Sequence, residues 1–291
     1  MPEQGTSAMT DLLRNIRPQP QLGQSFLMEG RILECEIDYA RVGAEDTVLE
    51  VGAGIGNLTE RLATRAGRVI AVECDRQFRP RLDSLAQTHG NVTPVWGDAL
   101  VVPLPPFSKV VSNLPYRVAL PIIFRLLDYP FGSGLVMLQE TMARHICAGP
   151  GEAGYGRISV TVQRLARTQL LDTVPRSAFF PAPSVDSAMV RLWPVTGPFG
   201  IASAEAFKRL LDHAFLYRED RLSAALRRLP GAAAVAPLLP GKLRDRRVSQ
   251  LTPEEFAEVS RFLDAHKVRL TAVSDVAKRT AQKPRKRPSR P

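Results

Sequence analysis

Between residues 47 and 192 the chain alternates short β-branched runs with amphipathic stretches. Thr47–Val51, Arg68–Glu73 and Val92–Trp96, with 109–112 and 135–138, are predicted strands. The intervening segments carry helical spacing instead: Leu58 and Leu62 stand four apart within 58–64, and Ile123, Leu126 and Leu127 share one face of 120–127. Strand followed by helix, repeated, predicts an α/β fold with a mainly parallel sheet and helices on both faces. Two later runs, 169–174 and 187–193, are expected to close the sheet, joined through the Pro-rich turn "FFPAPS".

After Trp193 the pattern changes. "PVTGPFG" has the composition of a linker, and every periodic segment beyond it is helical. Phe207, Leu210, Leu211, Ala214 and Phe215 recur at helical spacing within 204–217. A second helix is expected over 254–263, with Thr252 as its N-cap and Pro253 at the first helical position. The expected organisation is a flexible segment (1–20), an α/β domain (21–195), a small all-helical domain (200–267) and a basic disordered tail (268–291). No internal repeat is visible.

Composition narrows the classes. A chain of 291 residues, 44% hydrophobic and 23% charged, can build ample core, and no apolar run approaches the roughly 20 residues needed to span a bilayer. The polar, acidic start "MPEQGTSAMTDLLRN" is unlike a signal peptide, so a cytoplasmic protein without membrane contact is expected. Cys35, Cys74 and Cys147 form no CxxC pair, and His89, His145, His213 and His266 have no metal-ligand spacing. No metal, disulfide or Cys–His nucleophile is expected. Of the net charge of +10, residues 275–291 supply +6, seven basic side chains against Asp275, which suits a solvated tail attracted to phosphates.

Candidate chemistry begins at "VLEVGAGIGNLT" (48–59). Gly52, Gly54 and Gly56 between a strand and a helix let the backbone pass close under a ligand and aim free helix amides at a negative group. A tight turn without ligand needs the same glycines. A dinucleotide site wants GxGxxG, whereas the third position here is Asn57. The next strand ends in Glu73, whose carboxylate can accept both hydroxyls of a ribose; the one after ends in "WGDA", offering Asp98 to an adenine amino group. A glycine loop with acids at two successive strand ends describes an adenosine-containing ligand, although each acid alone is more often a cap, Asp75 in particular.

The fourth strand leads into "NLPY" (113–116). Asn113 offers a carbonyl oxygen, Leu114 its main-chain oxygen, Pro115 rigidity and Tyr116 an exposed flat face. Two acceptors gripping the hydrogens of an exocyclic amine out of plane would return its delocalised lone pair to nitrogen. A stacked ring would hold the base, worth about 1–3 kcal/mol. No strong base is needed before attack, so no histidine or acid has to stand beside the motif.

With these motifs in order, the chain resembles the rRNA adenine N6,N6-dimethyltransferases, most closely the KsgA type that acts on the small ribosomal subunit. The resemblance runs from about 21 to 263 and rests on "LGQSFL" (22–27), "VLEVGAGIGNLT", Glu73, "GDAL" (97–100), "NLPY", "YGRISV" (155–160) and "FFPAPSVDSAMVRL" (179–192). In the helical part, "FLYREDRLSAAL" and "RRVSQLTPEEF" are similar to family segments as well.

The resemblance implies a Rossmann-like class I methyltransferase sheet and S-adenosyl-L-methionine as methyl donor. It puts Ser25, Leu27, Gly52, Gly54, Glu73, Asp98 and Asn113 at the cofactor. Asn113, Leu114 and Tyr116 would hold the target adenine, with Phe179, helped by Phe180, across its other face. Two positions depart from the family: Ser25 stands where Asn or His is common, and Ala53 replaces a frequent Pro. The implied substrate is a pair of adenines in a hairpin loop near the 3′ end of small-subunit rRNA, free or in a pre-small-subunit particle, met by a monomeric enzyme. Arg218, Arg221, Arg227 and Arg228 are either phosphate contacts or a solvated helix face. Three rivals share parts of this pattern: an Erm-like enzyme of large-subunit rRNA, a silent RNA-binding assembly factor, and a DNA adenine methyltransferase.

Overall fold

The computed structural model describes residues 17–19, 22–197, 199–201, 203–229 and 231–270. The expected basic tail, apart from 268–270, and most of the expected N-terminal segment lie outside the described residues. The chain divides into two units: one takes the residues up to Arg144 together with Ala166–Pro194, the other His145–Leu165 together with the residues from Val195 onward.

The first unit is built on a seven-stranded sheet of order β4-β3-β2-β5-β6-β9-β7. Its strands are β2 (Thr47–Val51), β3 (Arg68–Glu73), β4 (Val92–Trp96), β5 (Lys109–Asn113), β6 (Ser133–Gln139), β7 (Ala166–Val174) and β9 (Ser187–Pro194). β2 to β6 pair in parallel, and β9 enters antiparallel between β6 and β7. The β-branched runs fill the centre: Val48, Leu49, Val69, Ile70 and Val111 have no measurable exposure, and each such side chain contributes about 1.5–3 kcal/mol of hydrophobic stabilisation. Pro94, which lacks a ladder donor, sits in β4 at the sheet edge where one flank is unpaired.

The helices of this unit are α1 (Gly30–Ala40), α2 (Asn57–Ala63), α3 (Arg79–His89), α4 (Ala119–Leu126) and α5 (Glu140–Cys147), the last running past the boundary at Arg144. α1 turns Leu33, Ile37 and Ala40 inward, spaced i, i+4, i+7, and with them an acid, Glu36. A separate ladder joins β1 (Phe26–Leu27) to β8 (Phe179–Phe180), with Phe26 opposite Phe180 and Leu27 opposite Phe179.

The second unit contains α6 (Arg157–Gln163), α7 (Ala204–Ala214), α8 (Leu222–Arg227), α9 (Gly241–Arg244) and α10 (Pro253–Ala265). α10 starts as expected: Thr252 Oγ1 accepts from Glu255 N at 3.2 Å while Glu255 Oε2 accepts from Thr252 N at 2.8 Å, a reciprocal cap. The expected domain boundary needs correction, because residues 145–165 belong to this unit rather than to the sheet. Tyr155 of "YGRISV" is 1% exposed in the helical core, and its hydroxyl donates to the Leu251 carbonyl at 2.6 Å. Its ring also meets Phe215 edge-on at 5.9 Å.

Candidate active site

Outside the carboxyl ends of β2, β3, β4 and β5 lies a cleft, where the strand order reverses across β2 and an open α/β sheet binds its ligands. Ser25, Leu27, Gly52, Gly54, Glu73, Asp98, Asn113, Leu114, Tyr116 and Phe179, separated by up to 154 positions in sequence, all line it. Phe180 does not; it is 46% exposed.

The glycine loop follows β2 directly. Gly52 has φ +78°, a left-handed conformation that favours glycine, and its backbone runs in van der Waals reach of Pro115 in the "NLPY" segment. Glu73 anchors the loop from β3: its Oε2 accepts from Gly54 N at 2.8 Å and its Oε1 from Asp75 N at 2.7 Å. Burial raises its carboxyl above the ordinary range, while these amides oppose the rise. A carboxylate offers about four lone-pair sites, so each oxygen keeps capacity for a ligand hydroxyl.

Asp75 caps the turn after β3, as expected, accepting from Gln77 N at 3.0 Å. Its other oxygen also takes the side-chain amides of Gln19 at 2.9 Å and Gln24 at 2.8 Å, tying the "LGQSFL" stretch to the end of β3. Burial pushes its carboxyl up, but these donors outweigh it and hold the pKa below the ordinary value. Asp98 is exposed and caps its own turn through Leu100 N at 2.8 Å; Arg125 grips the carbonyls of Leu100 and Val102 and fixes that loop from behind.

Asn113 is the last residue of β5. Its Nδ2 donates to Glu36 Oε2 at 3.3 Å, whereas its Oδ1 is buried and has no partner among the described residues. Leu114 turns its side chain into the core at 2% exposure and donates its amide to the Met137 carbonyl at 3.2 Å. Tyr116 is half-buried rather than exposed, because its hydroxyl lies 2.6 Å from Ser187 Oγ; burial raises the phenol pKa. Phe179, 7% exposed, is held across the cleft wall from Leu27 by the β1–β8 ladder.

Three contributors were not foreseen. An acid does stand beside the motif: Glu36, 1% exposed, whose carboxyl is pushed up to about 8 by burial, opposed by its bond to Asn113. Glu50, under the glycine loop and bonded to Thr59 Oγ1 at 2.6 Å, is raised to about 8 by burial, with Glu36 and Glu73 adding repulsion. Ser187, in "VDSAM", holds Tyr116. In sequence only Glu50 carries a signal, an acid inside an otherwise apolar strand.

The four arginines singled out in the helical unit are mostly engaged. Arg218 donates to the carbonyls of Ala153 at 3.1 Å and Glu152 at 3.3 Å; Arg221 lies 3.7 Å from Asp245. Arg228 pairs with Asp220 and stacks 4.4 Å over Tyr217. Arg227 is exposed and, among the described residues, has no carboxylate within ion-pair distance. Also among the described residues, no His, Cys, Asp or Glu cluster has the makings of a metal centre, and no helix is long and apolar enough to cross a membrane.

The strand order, with one antiparallel strand inserted beside β6, and the cleft at the reversal define a class I methyltransferase fold. The sequence profile of the family described as "Ribosomal RNA adenine dimethylase" matches residues 15–265, and the chain belongs to that family. It is therefore an rRNA adenine dimethyltransferase. It is 39% identical over 82% of its length to "Probable ribosomal RNA small subunit methyltransferase A" of Methanosarcina acetivorans, covering 91% of that protein. Against the protein of the same name from Thermococcus kodakarensis it is 37% identical over 86% of its length and 91% of the relative. A dimethyladenosine transferase from Plasmodium falciparum shares the fold, with TM-score 0.73 and 24% identity over 84% of this chain and 100% of that one. The 23S rRNA methyltransferase ErmE is similar with TM-score 0.61 and 27% identity over 82% of this chain and 99% of that one.

Proposed function

We propose that the protein dimethylates N6 of two adjacent adenines in a hairpin loop near the 3′ end of small-subunit rRNA, using S-adenosyl-L-methionine, in small-subunit biogenesis. The observation that carries this reading is Oδ1 of Asn113, a buried acceptor with no partner among the described residues, on a residue that lines the cleft. A buried acceptor without a partner costs about 1–3 kcal/mol, which a ligand N–H would recover. The names of the relatives at 37–39% identity favour the small subunit over the large.

The residues present fit the donor. Glu73 has spare lone pairs for ribose hydroxyls, Asp98 stands at the end of β4 for the adenine amino group, and Ser25, Leu27, Gly52 and Gly54 wall the space between them. When bound, the sulfonium supplies an electrophilic methyl group. Asn113 Oδ1 and the Leu114 carbonyl accept the two N6 hydrogens of the target base and turn its lone pair out of conjugation. Tyr116 and Phe179 clamp the base between ring faces and exclude water, so orientation and desolvation supply most of the rate. Monomethyladenine retains a single N–H, so the aromatic clamp carries more of the second transfer. The base must leave its stack to reach the cleft, which favours a loop over a perfect duplex. The exposed cations of the helical unit, Arg227 foremost, would meet RNA phosphates. A monomer acting in the cytoplasm suits this role.

The test is to incubate the purified protein with radiolabelled donor and, separately, each undermethylated ribosomal subunit, then map the labelled base. Label as dimethyladenine in the small subunit alone is expected. Label confined to the large subunit would transfer the reading to the ErmE-like reaction, and no label in either would end it.

A further inference from the structure

An asparagine side chain is nearly symmetrical in shape but opposite in chemistry at its two ends: Oδ1 accepts, Nδ2 donates. An exocyclic amine arriving in the cleft brings only donors in the plane of its N–H bonds. It is gripped if it meets Oδ1 and repelled if it meets Nδ2. A half-turn about the Cβ–Cγ bond separates the two cases, and the motif itself does not choose between them.

The choice is made from α1. Glu36 projects inward one turn from Leu33 and places Oε2 3.3 Å from Asn113 Nδ2, leaving Oδ1 without a partner among the described residues. Other surroundings do not account for the acid. Glu36 is 1% exposed on a helix face otherwise made of Leu33, Ile37 and Ala40, and no ion pair to it exists among the described residues. Glu50, the neighbouring buried acid, is occupied by Thr59. An acid in such a place costs stability and would be replaced by an aliphatic side chain if packing alone mattered. The bond from Asn113 opposes the rise that burial imposes on the Glu36 carboxyl, so it favours the ionised form, which can only accept and therefore meets Nδ2 and not Oδ1.

We infer that Glu36 is a positioning residue: by accepting Nδ2–H of Asn113 it holds Oδ1 toward the cleft, so that the amide presents an acceptor, not a donor, to the target amine. The inference rests on the adenine-gripping role proposed for Asn113. It adds a residue on a separate helix, outside every motif that carries the family resemblance.

The experiment measures kcat and KM for full-length variants with radiolabelled S-adenosyl-L-methionine and undermethylated small subunits. For Glu36→Leu, kcat is expected to fall about ten-fold, the worth of one oriented hydrogen bond, with the KM for donor unchanged. Glu36→Gln, which keeps a carbonyl acceptor, is expected to restore most of the rate. The decisive background is Asn113→Ser, whose single hydroxyl has no wrong end. There Glu36→Leu is expected to cost nothing further, whereas a merely structural role would cost the same ten-fold in both backgrounds. Equal losses in both, or a wild-type rate for Glu36→Leu, would overturn the inference. If Glu36→Leu melts below the assay temperature, Glu36→Met carries the same expectations. The underlying reading fails separately, and visibly, if Asn113→Ala retains the wild-type rate.

Discussion

The phenol oxygen of Tyr116 and Oγ of Ser187 lie 2.6 Å apart, joining the loop after β5 to the first residue of β9. The bond fixes the ring by its far end, on a residue that lines the cleft. Tyr116→Phe keeps the face and loses only the tether, so methyl transfer should fall a few-fold. Tyr116→Ala loses the stack, about 1–3 kcal/mol, or roughly 5- to 150-fold in rate. Ser187→Ala should match Tyr116→Phe. Single-turnover rates check all three, and wild-type turnover by Tyr116→Ala would remove the ring from the base-holding role.

Glu73→Ala is expected to act twice. It removes the acceptors of Gly54 N and Asp75 N, leaving buried donors unsatisfied at about 1–3 kcal/mol each, and it removes the groups proposed for the ribose. Calorimetric titration with S-adenosyl-L-methionine should give affinity at least about ten-fold weaker. Undiminished affinity in a folded variant would exclude Glu73 from the cofactor site.

The buried acids predict the sign of a pH effect. Glu36 and Glu50 are raised from 4.5 to about 8 in the folded protein. Between those values the folded chain binds more protons than the unfolded one, so their contribution to stability is full below about pH 4.5 and is lost as pH rises through 8. The melting temperature should therefore decline from about pH 5 to 8.5, and the decline should flatten in Glu36→Gln and further in the double variant with Glu50→Gln. Scanning calorimetry across that range checks it; an unchanged slope in the double variant would contradict the assignment.

Among Arg218, Arg221, Arg227 and Arg228, Arg227 should matter most for RNA. Arg218, Arg221 and Arg228 already spend their charge on carbonyls or carboxylates. Arg227→Ala should weaken binding to rRNA fragments and lower the slope of log affinity against log salt by about 1, whereas Arg218→Ala should chiefly lower the melting temperature. Filter binding at several salt concentrations separates the two.

The elements with strong local periodicity were legible. β2, β3 and β4 begin and end where the β-branched runs do, and α10 begins at its Thr-Pro signal. What escaped depends on contacts distant in sequence. The assignment of residues 145–165 to the helical unit is fixed by bonds such as Tyr155 to Leu251, 96 positions apart, which leave no periodic trace. Strands β1 and β8 are two residues each, too short to alternate. α1 has a regular apolar face at Leu33, Ile37 and Ala40, but Glu36 shares that buried face, and an acid there obscures the helical stripe.

In the candidate site, the residues around "VLEVGAGIGNLT", "GDAL" and "NLPY" were legible because each lies in a motif at a strand end. Ten of the eleven named residues line one cleft, and Phe180 does not. Glu36 and Ser187 escaped because each is defined by the side chain it touches, and nothing in its own neighbourhood reports that partner.

The two-residue ladder between Leu27 and Phe179 is held by main-chain pairing, which is indifferent to the side chains it carries. It acts as a bracket whose facing can be exchanged while its mounting holes stay put. Substitution at position 179 would change the bulk or polarity of the cleft wall without shifting the main chain that carries it.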